Sequence, residues 1–110
     1  MIHVIWSKAT QQQIGEMLES LQTYIKLAVD VHRRVLAGGA ALHADCEEVL
    51  LEDGSEQQDV WGADWFPESR EVQFQSLINI RPKQGNRSML VADPRLREKI
   101  EAIVRERLDM

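Results

Sequence analysis

The sequence predicts an α+β domain in two layers: a long N-terminal helix and a C-terminal helix packed on an antiparallel sheet of three to four strands. Three patterns support this class. Apolar residues recur at helical spacing early in the chain, an Asp-Gly pair separates two strand-like runs, and a second helical stripe ends the chain. Each helix has an apolar face that the sheet can cover. With 110 residues, the chain is expected to form a single domain over residues 1–110.

The first predicted helix extends over residues 10–37. Thr10 and Gln13 have the spacing of a capping box, which marks the start of a helix. A helix of this length is unusual in a small domain, so a break near residues 20–23 is left open. Asp30 would lie on the polar side of this helix, in an exposed row of ion pairs. The apolar positions at helical spacing are Ile14, Leu18, Leu21, Ile25, Ala28 and Val29.

The middle of the chain predicts a β-hairpin. Asp53-Gly54 separates two runs with strand character, and Asp-Gly is a strong signal for a two-residue turn because glycine accepts positive φ. In that register Cys46 would face Trp61 and Ala44 would face Ala63. These apolar pairs would give the ribbon one buried side.

The remaining elements are shorter or lie at the ends. Alternating apolar residues predict strands at Ile2–Trp6 and at 71–80, with Met89–Val91 as a further edge strand. Asp93 followed by Pro94 is typical of a helix start, with the aspartate as N-cap. The apolar stripe of the last helix consists of Leu96, Ile100, Ile103, Val104 and Leu108.

The composition is that of an acidic protein, with a formal charge of −5 and a pI of about 5.1. That sign does not favour binding to nucleic acid or to anionic membranes. No apolar run is long enough to span a membrane, and the first residues lack the pattern of a signal peptide. Cys46 is the one cysteine and cannot form an internal disulfide. We therefore expect a cytoplasmic protein without membrane or nucleic-acid contacts.

The charges are unevenly distributed. Residues 45–71 carry ten acidic side chains and one arginine, whereas Arg81, Lys83 and Arg87 form a basic segment without an acid. This asymmetry is typical of solvated faces or of an electrostatic contact between copies. Two helices with wide apolar faces over a small sheet also leave apolar area uncovered, so we expect a homodimer.

Several short stretches together resemble a family of small bacterial and archaeal proteins known as a domain of unknown function. The likeness covers roughly residues 20–108 and is weaker before residue 20. The resemblance implies a stand-alone domain and no activity, cofactor or catalytic residue. The stretches that carry it are LAVDV at 27–31, LHAD at 42–45, LLEDGS at 50–55, DVWG at 59–62, INIRP at 78–82 and QGNRS at 84–88.

His43, Asp45 and Glu47 are weak candidates for catalytic residues. Alternating on the predicted strand, they would project from one face, and an imidazole with two carboxylates suits acid–base chemistry. A solvated sheet face is the alternative. Side chains from one flat strand diverge from a single ion, so we expect neither a metal nor another cofactor.

The segment Arg81–Ser88 is the more specific candidate for ligand binding. Arg81 and Arg87 could bind one phosphate or carboxylate, with Asn86 and Ser88 as neutral donors. Two alternatives remain open: a turn whose arginines pair with the acidic residues of the same chain, and a contact with a second subunit.

Three functions are compatible with these patterns. The first is an interaction or regulatory module that forms a homodimer. The second is a domain that binds a small anion through Arg81, Asn86, Arg87 and Ser88. The third is a hydrolase of phosphoesters or nucleic acid that uses His43, Asp45 and Glu47 with the arginines. Whether the protein is an enzyme is not determined by the sequence.

Overall fold

A computed structural model describes residues 1–109 and confirms the α+β class. Over those residues, five strands form one antiparallel sheet in the order β1-β3-β2-β4-β5, accompanied by three α-helices. No helix within the same range is long and apolar enough to cross a membrane. In chain order the elements are β1 (His3–Ile5), α1 (Gln11–Met17), β2 (Ile25–Asp30), β3 (Val35–Gly38), α2 (His43–Glu52), β4 (Val60–Phe66), β5 (Glu71–Gln73) and α3 (Pro94–Leu108).

The prediction of a long N-terminal helix is wrong. The capping box at Thr10 is present, with both its hydrogen bonds to Gln13, but α1 ends at Met17 and the chain continues as the antiparallel pair β2–β3. The strand β2 is almost wholly buried on both of its faces. A strand covered on both sides has no alternating polar positions, so its apolar residues fall at helical spacing by coincidence.

The prediction of an Asp-Gly hairpin is also wrong, because residues 43–52 form α2. Gly54, with φ of 111°, follows the helix in the left-handed conformation that glycine adopts most easily. Its N–H donates to the carbonyl of Leu51 and that of Ser55 donates to Leu50, at 3.2 and 2.9 Å. These are the two bonds of a Schellman motif, the commonest use of glycine at a helix end. Trp61 pairs with Val29 of β2 instead of Cys46.

Helices cover both faces of the sheet, so the domain has three layers and not the two predicted. On one face, Leu27 of β2 lies in a core shared with Met17 of α1 and Ile103 of α3. On the other face, Ala28 lies in a smaller core with Cys46 and Leu50 of α2. The last helix begins as predicted, with Asp93 as N-cap to the N–H of Arg95 and Pro94 at the first helical position.

The predicted strand over 71–80 is only partly formed. After β5 the chain leaves the sheet and forms a 3₁₀ turn at Leu77–Asn79. It later runs back past its own start, where Leu90 forms an antiparallel bridge with Gln75. Of the predicted edge strand at 89–91, the structure contains this single bridge. The segment 74–91 thereby runs along the part of β4 that β5 leaves uncovered.

Candidate functional site

Asn79 fixes the segment 74–91 against β4. Its side chain is fully buried, and its Oδ1 accepts the N–H of Gly62 at 2.8 Å while its Nδ2 donates to the Gly62 carbonyl at 3.0 Å. The same Nδ2 lies 3.4 and 3.2 Å from the carbonyls of Phe74 and Met89. The Asn79 amide thus satisfies the backbone N–H and carbonyl of Gly62, as a neighbouring strand does elsewhere in the sheet. These bonds fix the position of the segment 74–91.

Asn86, predicted as a ligand-binding residue, is a second asparagine whose side chain bonds to the backbone of its own segment. Its Nδ2 donates to the carbonyls of Asn79, Ser88 and Leu90 at 2.8, 3.0 and 3.0 Å, and its Oδ1 accepts the N–H of Ala92 at 2.9 Å. The side chain is buried. Asn86 therefore uses its donors and its acceptor to hold the shape of the predicted binding loop.

Arg81 is likewise turned toward its own chain. Its guanidinium donates to the carbonyls of Val60, Ile78 and Gln57, lies 3.2 Å from Glu47 Oε2 and stacks 4.5 Å above the Trp61 ring. Burial lowers the pKa of Arg81 and Glu47 opposes that shift. Burial raises the pKa of Glu47, against the effect of Arg81. The pair is a nearly buried connection between α2 and the segment 74–91.

The other two residues of the predicted anion site lie at the surface. Arg87 is exposed and makes no hydrogen bond or ion pair with residues 1–109, and the Ser88 hydroxyl donates to the Leu90 carbonyl. Arg81 thus forms the predicted pairing with an acid of the same chain, and Arg87 does not. Anion binding by this loop stays a prediction.

The three weak catalytic candidates do not share a face. Since they lie on α2 and not on a strand, Asp45 projects from a different side of the helix than His43 and Glu47. His43 Nε2 lies 2.8 Å from Asp64 Oδ1 and 3.1 Å from the Ala63 carbonyl, while Glu47 contacts Arg81. In the described part of the chain, no three His, Cys, Asp or Glu side chains are grouped as metal ligands.

A cleft of about 480 Å³ opens between the start of α2 and the segment 74–91, and we call it the His43 cleft. Its polar lining includes Lys26 and Asp64, which are directly opposite on β2 and β4. Its walls are largely apolar. They consist of Leu42, Ala44, Leu77, Ile78 and Met89.

A second cleft, of about 520 Å³, lies next to the first and shares Leu77 and Ile78 with it. The Glu47–Arg81 pair contributes to its lining, so the acidic helix and the basic loop meet here. They meet as an ion pair between nearly buried groups, which neutralise each other.

Large apolar side chains are exposed around the two clefts. Leu77 is the most prominent, with 73% of its surface exposed. We call the set the Leu77 patch. It consists of Leu42, Leu77, Ile80 and Met89, and all four side chains are at least 41% exposed.

Cys46 lies on the buried side of α2 and lines neither cleft. It is fully buried, its thiol is 3.5 Å from the Lys26 carbonyl, and burial raises its pKa to about 11. A thiol in this environment is a small apolar side chain and not a nucleophile.

The family model described as "Protein of unknown function (DUF5674)" matches residues 3–107. The chain is a member of this family. The match confirms the resemblance seen in the sequence and includes the first helix and strand, where that resemblance was weaker. No curated protein and no solved structure is significantly similar to the chain.

Sequence reasoning missed several residues that line the clefts of this DUF5674 domain. Lys26 falls within the predicted helix 10–37 and was not predicted as a site residue, although a lone charge within an apolar run could have marked a special position. Leu77 occupies a position that the alternating pattern of 71–80 assigns to the polar side. A leucine in that phase was the available signal for an exposed apolar patch.

Proposed function

We propose that this domain is an interaction module that binds a second copy of itself through the Leu77 patch. The observation that carries the proposal is the grouping of four exposed apolar side chains around two clefts, with Leu42 at the start of α2 and the other three on the segment 74–91. Scattered apolar residues are normal on a protein surface, whereas a contiguous patch with a polar rim is typical of a binding surface.

The charges around the patch favour a second copy as the partner. Asp45 and Glu48 are exposed on α2, and Lys83 and Arg87 are exposed on the loop of the segment 74–91. These four side chains make no ion pair within residues 1–109. In a two-fold dimer the same patch faces itself, and the proposal pairs the acidic side chains on α2 of each copy with the basic loop of the other.

The other functions remain predictions that the geometry favours less. Arg81 and Asn86 use their donors within the chain, which leaves Arg87 as the exposed guanidinium for an anion. A hydrolase would need His43, Asp45 and Glu47 to converge, and each has different surroundings. A regulatory role and a cytoplasmic location also stay predictions.

The proposal is tested by measuring the molar mass of the full chain by sedimentation equilibrium at micromolar to submillimolar concentration. We expect twice the chain mass of 12.6 kDa for the wild type and the chain mass for Leu77→Asp. The matched control is Ile2→Asp, because Ile2 is an exposed apolar residue beside β1 at the opposite edge of the sheet. It should leave the dimer intact.

Charge reversal tests the choice of partner. Arg87→Glu should weaken the dimer, and adding Glu48→Lys in the same chain should restore it, since the reversed charges again face opposite signs. Association should also weaken with added salt. A wild type that stays monomeric, or a Leu77→Asp variant that folds and still dimerises, would show the proposal to be wrong.

A further inference from the structure

The His43 cleft contains a lysine that forms no ion pair with any of the residues 1–109. Lys26 lines the cleft and is partly buried, yet its ammonium makes no hydrogen bond or ion pair with residues 1–109. The acid opposite, Asp64, is 8% exposed and pairs with His43 at 2.8 Å. The Asp64 carboxylate is therefore engaged by His43, and within the described residues the Lys26 ammonium has no ionic partner.

We infer that the His43 cleft binds a small monocarboxylate with an apolar body. The carboxylate of the ligand would pair with Lys26, and its body would lie against the walls formed by Leu42, Leu77 and Met89. A volume of about 480 Å³ is within the range of sites that hold small molecules, which are largely apolar with a few polar groups.

The charges of the cleft set the charge of the ligand. Lys26 contributes one positive charge, and the Asp64 carboxylate is hydrogen-bonded to His43. A single negative charge on the ligand is matched by Lys26, whereas a phosphate dianion would bring its second charge close to Asp64. Gln75, which also lines the cleft, adds a neutral amide donor.

This inference goes beyond the proposed self-association and does not depend on it. The cleft shares Leu42, Leu77 and Met89 with the Leu77 patch, so a second copy would cover its mouth. Arg87 does not line the cleft, and the Arg87→Glu variant therefore allows ligand binding to be measured on a chain with weakened association.

The experiment titrates the full chain with phenylacetate and follows amide signals in ¹H–¹⁵N spectra. The matched neutral probe is 2-phenylethanol, and inorganic phosphate is the probe for a dianion. We expect saturable shifts at Lys26, His43 and Gln75, and binding of phenylacetate about tenfold tighter than that of the alcohol. The preference should disappear in Lys26→Met, persist in Lys26→Arg, and be unchanged in the control Lys99→Met, whose lysine is exposed on α3.

Four results would overturn the inference: no saturable shift with either aromatic probe, equal affinity for acid and alcohol, phosphate binding as tightly as phenylacetate, or an unchanged preference in a folded Lys26→Met variant. The same titration on Arg87→Glu separates the two proposals. If the chain is monomeric and still binds phenylacetate, the carboxylate site is supported and only the proposed self-association is wrong.

Discussion

Gly62 lies where the segment 74–91 approaches the sheet most closely. A Cβ atom added at this position would be 2.5 Å from Ser76 Cβ, 2.7 Å from Ser76 Oγ and 3.0 Å from Ile78 Cγ1. Real Cβ atoms do not approach other atoms at the shortest of these distances, so Gly62→Ala must move either β4 or the segment. Neither is free to move, since Gly62 pairs with Ala28 of β2 on one side and binds Asn79 on the other.

The cost can be estimated from these contacts. Forcing a methyl group into a packed interior costs about 1–3 kcal/mol, and each of the two Asn79 bonds to Gly62 contributes about 1 kcal/mol if displacement breaks it. We expect Gly62→Ala to lower the free energy of unfolding by about 3 kcal/mol. For a domain of this length, the midpoint of thermal unfolding should fall by about 10 °C.

Urea unfolding followed by circular dichroism measures this loss, with an unchanged slope as the sign that the folded state stays compact. The control is Gly15→Ala in α1, where an added Cβ has no atom within 4 Å. It should raise stability by about 0.5–1 kcal/mol through helix propensity. Combining Gly62→Ala with Ser76→Gly should cost less than the sum of the two single changes. A Gly62→Ala variant within about 0.5 kcal/mol of the wild type would refute the reasoning.

Two further predictions concern titratable groups. Cys46, with a pKa of about 11, should not react with iodoacetamide at pH 8 in the folded chain and should react once urea unfolds it; rapid alkylation of the folded chain would contradict the burial of the thiol. Burial raises the folded-state pKa of Glu47 above its ordinary value of 4.5, so the folded state holds this proton more tightly than the unfolded state does. The contribution of Glu47 to stability is therefore fully present below pH 4.5 and is lost as the pH rises through the raised pKa. Unfolding free energies measured across this range should show that the wild type loses stability relative to Glu47→Gln as the pH rises. A wild type that instead gains stability relative to Glu47→Gln with rising pH would contradict the sign.

Local signals in the sequence predicted the elements that depend on local contacts. The capping box at Thr10 and the Asp93-Pro94 start of α3 are both present, because a cap needs only residues within one turn. The strand β1 was predicted from alternation at the exposed edge of the sheet, where only part of the strand is covered.

Elements whose surroundings are distant in sequence could not be predicted in this way. Burial of β2 by helices on both sides removed the alternation that marks a strand, and Asp-Gly suits a helix end as well as a hairpin. Asp30 was expected at the surface, but it is fully buried. It accepts the N–H groups of His32 and Arg33 in the turn that follows β2, and the hydroxyl of Ser55.

The candidate site shows the same limit. His43 and Glu47 were predicted as candidate catalytic residues and Arg81 as a ligand-binding residue, and the partners of their side chains could not be predicted from spacing. Asp64 belongs to β4, and Glu47 meets Arg81 across 34 positions of the chain. Lys26 gained its place in the cleft only through the pairing of β2 with β4.

The use of asparagine side chains as a substitute for a strand has a consequence for recognition. Asn79 and Asn86 together fix the backbone from Phe74 to Ala92 through bonds in the interior, so the loop that carries Leu77 is ordered before any partner arrives. Binding of a partner to such a loop therefore does not include the free-energy cost of ordering it. Encounter should then resemble the docking of two preformed shapes, with little backbone movement between the free and the bound domain.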